Sequence, residues 1–261
     1  MSEYKFKHLY GPVSSWRLGR SLGVDLLPSG CKICTFDCVY CQLGKNKEYT
    51  TQRQVFVETQ GVIEEIKSLP DIPIDYFTFS GQGEPSLASN LGETARAIKE
   101  IRSEPVAVIT NGSFIYDAGF REELAVVDYV SLKLDAYDQQ SLESLNQPCK
   151  QVKFEDIFDG IVEFRKIYNK TLALQLMFIE NNRNCANKFI KLLEAIKPDE
   201  IHLNTPLRPS AVKPLSESEM QEIKSEFINL PYKISSVYEI EKLKVEPISE
   251  SDTLRRRPNK F

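Results

Sequence analysis

Six apolar runs of strand length recur along this chain, and each ends in a polar or glycine-rich signal before a helical pattern begins. The runs are Ser21–Leu27, Tyr76–Ser80, Val106–Thr110, Tyr129–Leu134, Leu172–Ile179 and Glu200–Asn204. The helical patterns are Val62, Ile63, Ile66 and Leu69 (stopped by Pro70), then about Asn90–Ile101, Ala118–Val127, Phe154–Tyr168, Asn184–Ile196 and Ser216–Leu230. Ser216 followed by Glu219 is a capping box that starts the last of these. Gln54–Val57 reads as a further short strand-like piece. Strands alternating with helices of this length build βαβ units and a parallel sheet. The count falls short of the eight units of a closed barrel. The expected fold is therefore α/β, a partial (β/α)6 barrel with an open, curved parallel sheet. It forms a single domain over 1–261, with a core of about 20–210 and a C-terminal helix and tail over 211–261.

In such folds chemistry gathers beyond the C-terminal ends of the strands. The signals there are a cysteine loop, Gly81-Gln-Gly-Glu-Pro85, Thr110-Asn-Gly112, Lys133 with Asp135, Glu180, and Asn204-Thr205. The cysteine loop stands out: Cys34-Thr-Phe-Asp-Cys38-Val-Tyr-Cys41, with Cys31 just before it. The N-terminus lacks the apolar run of a signal peptide, and no stretch approaches the ~20 apolar residues that span a bilayer. A cytoplasmic, membrane-free protein is expected, in which clustered thiols bind metal or catalyse rather than pair. Thiolates suit zinc or iron–sulfur clusters. Zinc would take Cys31, Cys34, Cys38 and Cys41, but two such pairs are usually separated by a dozen residues or more. Four thiolates on a cluster would make a closed electron carrier. Three, at Cys34, Cys38 and Cys41, would leave one iron open.

The CxxxCxxC spacing, with Tyr40 before the last cysteine, resembles the radical S-adenosylmethionine (SAM) superfamily. Gly83-Glu84-Pro85 resembles that family's GGE motif, with Gln82 replacing the first paired glycine. Gly11-Pro-Val, Leu18–Asp25 and Leu203-Asn-Thr-Pro206 look like the tRNA wyosine-synthesis (4-demethylwyosine synthase-like) subgroup and its short relatives.

The resemblance implies an oxidoreductase with a 4Fe-4S cluster on Cys34, Cys38 and Cys41. SAM would chelate the open iron, and reductive cleavage would yield a 5′-deoxyadenosyl radical that abstracts hydrogen from substrate. An external one-electron donor of flavodoxin or ferredoxin type is implied. The cofactor contacts implied are Gly81, Gly83 and Glu84 toward the methionine amine and Tyr40 toward adenine. Thr110 and Ser131 follow as strand-end SAM contacts, and Lys133 with Asp135 toward ribose or carboxylate. Glu84 also reads as an anchor of its loop, and Cys31 as a bystander.

Other residues read more plainly. Arg17 reads as a surface arginine, and Arg20 stands ahead of the strand that carries the cluster loop. His202 reads as core, Met177 as core that could also pack on adenine, and Cys149 and Cys185 as incidental; Leu254-Arg-Arg-Arg-Pro258 reads as a solvated tail, with a phosphate or carboxylate clamp at the open side of the barrel as the alternative. The substrate is open: a nucleotide or tRNA by resemblance, a protein side chain as in glycyl-radical activation, or a small metabolite. A net charge of −4 argues mildly against a dominant nucleic-acid surface. A non-catalytic electron carrier or zinc module is the remaining alternative.

Overall fold

The computed structural model describes residues 6–27, 30–46, 48–239 and 243–257. Its strands are β1 (Leu9–Ser15), β2 (Gly19–Val24), β3 (Ile33–Cys34), β4 (Glu48–Tyr49), β5 (Tyr76–Phe79), β6 (Val106–Thr110), β7 (Tyr129–Lys133), β8 (Thr171–Met177), β9 (Glu200–Asn204) and β10 (Lys233–Ser236). Its helices are α1 (Thr59–Lys67), α2 (Leu91–Ile101), α3 (Ala118–Val126), α4 (Gln139–Leu145), α5 (Phe154–Ile167), α6 (Ala186–Ile196), α7 (Glu217–Glu226) and α8 (Glu250–Arg256).

One curled sheet runs β1-β2-β5-β6-β7-β8-β9-β10. From β2 through β10 all neighbours are parallel, and β1 closes one edge as an antiparallel hairpin with β2. The six expected strands form its middle. The two outer strands were not expected. β10, Lys-Ile-Ser-Ser, is too polar to read as a buried parallel strand, and β1 is interrupted by Gly11-Pro12. Gln54–Val57 is not a strand, only an isolated bridge from Gln54 to Ala88, because the chain must turn there into α1. Helix α4 was also missed; it is short and is set by the Asp138 capping box.

Alternation along the strands divides the residues between two faces. Leu22, Val24, Phe77, Phe79, Val108 and Leu174 lie in the layer shared with the helices, all fully buried. The concave face carries smaller or polar groups, including Ala107, Ser131, Ala173, Gln175 and His202. The β1–β2 turn fills part of this concavity. Leu18 packs with Ala107, Tyr129 and Ala173, and the Trp16 ring meets His202 edge-on at 5.1 Å. Arg17 donates to Gln175 Oε1 on β8. Arg17 is thus no surface arginine: the hairpin turn carries it into the concave face. His202 is a core histidine held between Trp16 and Glu200, 3.2 Å away. Arg20 forms an exposed pair with Asp75 at 2.7 Å.

Over residues 254–257 the tail is not solvated either, and Pro258 lies outside the described residues. Ser249 caps α8, and α8 docks on β1 through Gly11 N donating to Thr253 Oγ1 at 3.0 Å. Arg256 is fully buried and its Nε donates to Asp25 Oδ2 at 2.8 Å. A buried carboxylate left without its guanidinium costs several kcal/mol. Arg256→Ala should lower unfolding stability by about 3–5 kcal/mol in urea titration, and pairing it with Asp25→Asn should recover part of that loss. A change under about 1 kcal/mol, the scale of an exposed pair, would show the pair to be dispensable.

Candidate functional site

The cysteine loop is held from both sides by backbone. Ile33 bridges Gly83: Ile33 N donates to Gln82 O at 3.2 Å, and Glu84 N donates to Ile33 O at 3.0 Å. Opposite, Asp37 N donates to Asn146 O at 3.0 Å, Val39 N to Leu145 O at 3.0 Å, and Cys149 N to Thr35 O at 2.8 Å. Lys32 pairs with Asp37 at 2.9 Å in a nearly buried contact that braces the turn. Glycine is required where the strand-end loop meets this one. A Cβ on Gly83 would lie 1.8 Å from Ile33 O, and one on Gly81 would lie 2.2 Å from Asp25 Cγ.

Cys34, Cys38 and Cys41 line one cavity of about 330 Å³ at the C-terminal ends of the strands, and Cys31 does not line it. The sulfurs face donors. Asn146 Nδ2 lies 3.3 Å and Lys133 Nζ 4.0 Å from Cys38 Sγ, while Phe36 N lies 3.4 Å and Asn111 Nδ2 3.8 Å from Cys34 Sγ. Burial pushes the Cys34 thiol up, and the neighbouring Glu84 and Cys38 add to this. Holding it as a thiolate therefore calls for bound positive charge. Among the described residues, no three His, Cys, Asp or Glu side chains converge on one metal-ion position. Three thiols that share one cavity suit a polynuclear cluster, whose corners each take a separate ligand.

The other expected contacts divide into cavity wall and scaffold. Gly81, Gly83, Glu84, Tyr40 and Lys133 line the cavity; Thr110, Ser131 and Asp135 do not. Glu84 is spent on its own surroundings. It accepts from Thr110 Oγ1, from Asn111 N at 2.8 Å and from Ser86 N at 3.0 Å, which ties the ends of β5 and β6 together. Asp135 lies beneath the wall, accepting from Tyr40 Oη and from Met177 N at 2.9 Å, with Lys133 Nζ 3.4 Å away. Its geometry is that of an anchor for Tyr40, since its carboxylate is taken up by residues that themselves form the cavity wall. Ser131 is buried on the concave face, and its hydroxyl has no partner among the described residues.

Other residues reach the cavity without having been assigned a cofactor contact. Asn111 and Asn204 stood within the polar strand-end signals. Trp16, Arg17, Gln175, Arg208, Arg256 and Arg257 come from segments that no spacing rule connects.

The geometry is that of a metal-cluster pocket at the mouth of a half-barrel, and the comparisons agree. The family model for the radical SAM superfamily matches residues 29–193. The chain belongs to the radical SAM superfamily, whose members work with a 4Fe-4S cluster and SAM. Within it the chain groups with the UPF0026 proteins: it is 40% identical over 212 residues to one from Synechocystis sp., covering 80% of this chain and 78% of that one. It is 27% identical over 191 residues to a probable GTP 3′,8-cyclase of Saccharolobus islandicus, covering 72% of this chain and 58% of that protein. The crystal structure of Streptococcus suis SuiB bound to S-adenosylmethionine shares the fold, with a TM-score of 0.63 at 14% identity, over 82% of this chain and 50% of that one. The chain thus spans about half the length of SuiB.

The loop contacts set a steric test. Gly83→Ala should lose cluster iron after anaerobic reconstitution, read by iron assay and visible absorbance, because the added methyl pushes Ile33 and the cysteine loop away. Gly61→Ala, whose nearest neighbour would be 3.8 Å off, should retain full iron. Normal iron in the Gly83 variant would show that the loop tolerates displacement.

Proposed function

We propose that this protein reductively cleaves SAM at a 4Fe-4S cluster held by Cys34, Cys38 and Cys41, and abstracts a hydrogen atom from a nucleotide-type substrate. The observation that carries this reading is the sharing of one cavity by these three thiols and the Gly81–Glu84 loop, with Cys31 left outside. When bound, the reduced cluster supplies the electron that splits SAM into methionine and the 5′-deoxyadenosyl radical.

The chain's own part is to orient and enclose. Cys34, Cys38 and Cys41 occupy three irons. Asn111 and Asn146 donate toward sulfur, which makes the cluster easier to reduce. Gly81 and Gly83, lacking side chains, open the backbone at the end of β5 to the methionine amine. Lys133, held by Asp135 and stacked 4.9 Å from the Tyr40 ring centroid, is the cation available to the methionine carboxylate. Tyr40, fixed by Asp135 and by Asn146 Nδ2 at 2.7 Å, forms a rigid apolar wall against adenine. Met177 adds a polarizable side chain beside it. The superfamily requires an external reductant, for which a flavodoxin or ferredoxin is our proposal. Among the described residues no helix is long and apolar enough to cross a membrane.

A nucleotide is favoured over a peptide by the cavity's charge. Among the described residues six basic side chains line it (Arg17, Lys32, Lys133, Arg208, Arg256 and Arg257) against a single acidic one, Glu84, which is already bonded to Thr110 and Asn111.

The decisive assay is anaerobic. Reconstituted protein with dithionite and SAM should form 5′-deoxyadenosine and carry about four irons per chain. Cys34→Ala, Cys38→Ala and Cys41→Ala should each abolish product, while Cys31→Ala should keep both iron and product. One zinc per chain, or a cluster inert to SAM, would replace this reading with the structural or electron-carrier one. Loss of iron in Cys31→Ala would overturn the ligand assignment.

A further inference from the structure

Arg17, Arg208 and Arg257 reach the cavity from three separate segments: the β1–β2 turn, the loop after β9 and the end of α8. Elsewhere in the cavity Lys32 pairs with Asp37, Lys133 with Asp135 and Arg256 with Asp25. Arg17 and Arg257 instead have neutral partners. Arg17 Nη1 donates to Gln175 Oε1, and Arg257 Nη2 donates to Ser14 O at 3.2 Å. The Arg17 Nε is buried with no hydrogen-bond partner among the described residues. A guanidinium has five N–H donors in a rigid fork, so both side chains keep donors in hand. Arg17 is also fixed in place, its guanidinium carbon 4.7 Å from the Trp16 ring centroid, with Trp16 braced against His202.

Arg257 repels both of the other cations. Burial pushes Arg17 down to about 10, and Arg257 adds to that shift. Burial and Arg257 together push Arg208 down to about 10. A cluster of like charges kept in a cavity, in a chain whose net charge is −4, is a preformed site for an anion.

We propose that Arg17, Arg208 and Arg257 form the binding site for a phosphomonoester carried by the substrate. This deepens the functional reading above and rests on it. Three guanidiniums match a phosphate that carries up to two negative charges and three acceptor oxygens. A carboxylate or a backbone phosphodiester brings only one charge. The overall acidic charge likewise disfavours a polynucleotide track. The position suits a substrate rather than SAM. Lys133 reaches Cys38 Sγ at 4.0 Å, and its register partner on the next strand is Gln175, which holds Arg17. The arginine site thus begins one strand spacing, about 5 Å, beyond the lysine. A nucleotide anchored there by its phosphate extends its sugar or base toward the reacting atoms.

The test is titration calorimetry on the reconstituted holoenzyme with three probes: inorganic phosphate, acetate, and a short single-stranded oligonucleotide without terminal phosphates. Phosphate should bind at least about tenfold tighter than acetate or the oligonucleotide. Arg17→Gln and Arg257→Gln should each weaken phosphate by about tenfold or more, the scale of a lost charged hydrogen bond. Arg257 lies after the last helix, so its variant tests the site even where Arg17→Gln disturbs the hairpin turn. SAM affinity of the unaltered protein should be the same with and without phosphate.

Unchanged phosphate affinity in both variants overturns the proposal. So does displacement of SAM by phosphate, which would make the arginines part of the cofactor site, and so does tighter binding of the oligonucleotide. Absence of 5′-deoxyadenosine with phosphate binding intact would instead sink the radical reading and leave the phosphate site standing.

Discussion

The arrangement depends on one buried carboxylate. Asp25 follows β2 and accepts from Leu27 N at 3.2 Å, from Gln82 N at 3.3 Å and from Arg256 Nε at 2.8 Å. Those three bonds join the run-in to the cysteine loop, the glycine-rich loop after β5 and the last helix. Arg256 extends the join by donating to Lys7 O at 2.6 Å. Such a pair contributes little net stability, because desolvation offsets its Coulomb gain. Its geometric effect is larger. Two loops that must hold a cluster and a cofactor at fixed separation are referenced to the same two oxygens. The lack of a side chain on Gly81 is what allows the carboxylate to come so close.

The concave face shows a second consequence of packing. Strand alternation assigns large apolar residues to the helix-covered side and leaves small or polar ones inside the curve. The β1–β2 turn then occupies part of that hollow with Leu18, Trp16 and Arg17. The curved sheet is therefore less open along its side than six strands alone would leave it. The mouth is lined by residues from the first strand hairpin and from the last helix. The two are brought together there by α8 on β1, through Thr253 and Arg257.

Much of this was legible beforehand. The six central strands read directly because apolar runs of strand length are a local pattern, and their polar ends marked the face where the cavity opens. The cysteine spacing located the loop that lines the cavity, because three thiols on one loop are local as well. Arg17 and the C-terminal arginines were misread because an isolated arginine in a polar stretch carries no sign of burial. Only the partner decides, and Asp25 is more than two hundred residues from Arg256. Asp135 was expected to face the cavity on alternation with Lys133. That rule fails where the strand ends: β7 stops at Lys133, and Asp135 turns under the wall to meet Tyr40 and Met177 N.

The sequence by itself determined the alternating α/β architecture, the sulfur chemistry at Cys34, Cys38 and Cys41, and the membership these features carry. Each of these is written in residues close together along the chain. The tertiary structure decided which of the polar strand-end residues face the cavity, which ones brace it, and that three distant arginines share it. Those outcomes depend on the curl of the sheet and on the docking of α8, where burial and pairing between remote segments set the orientation of each side chain.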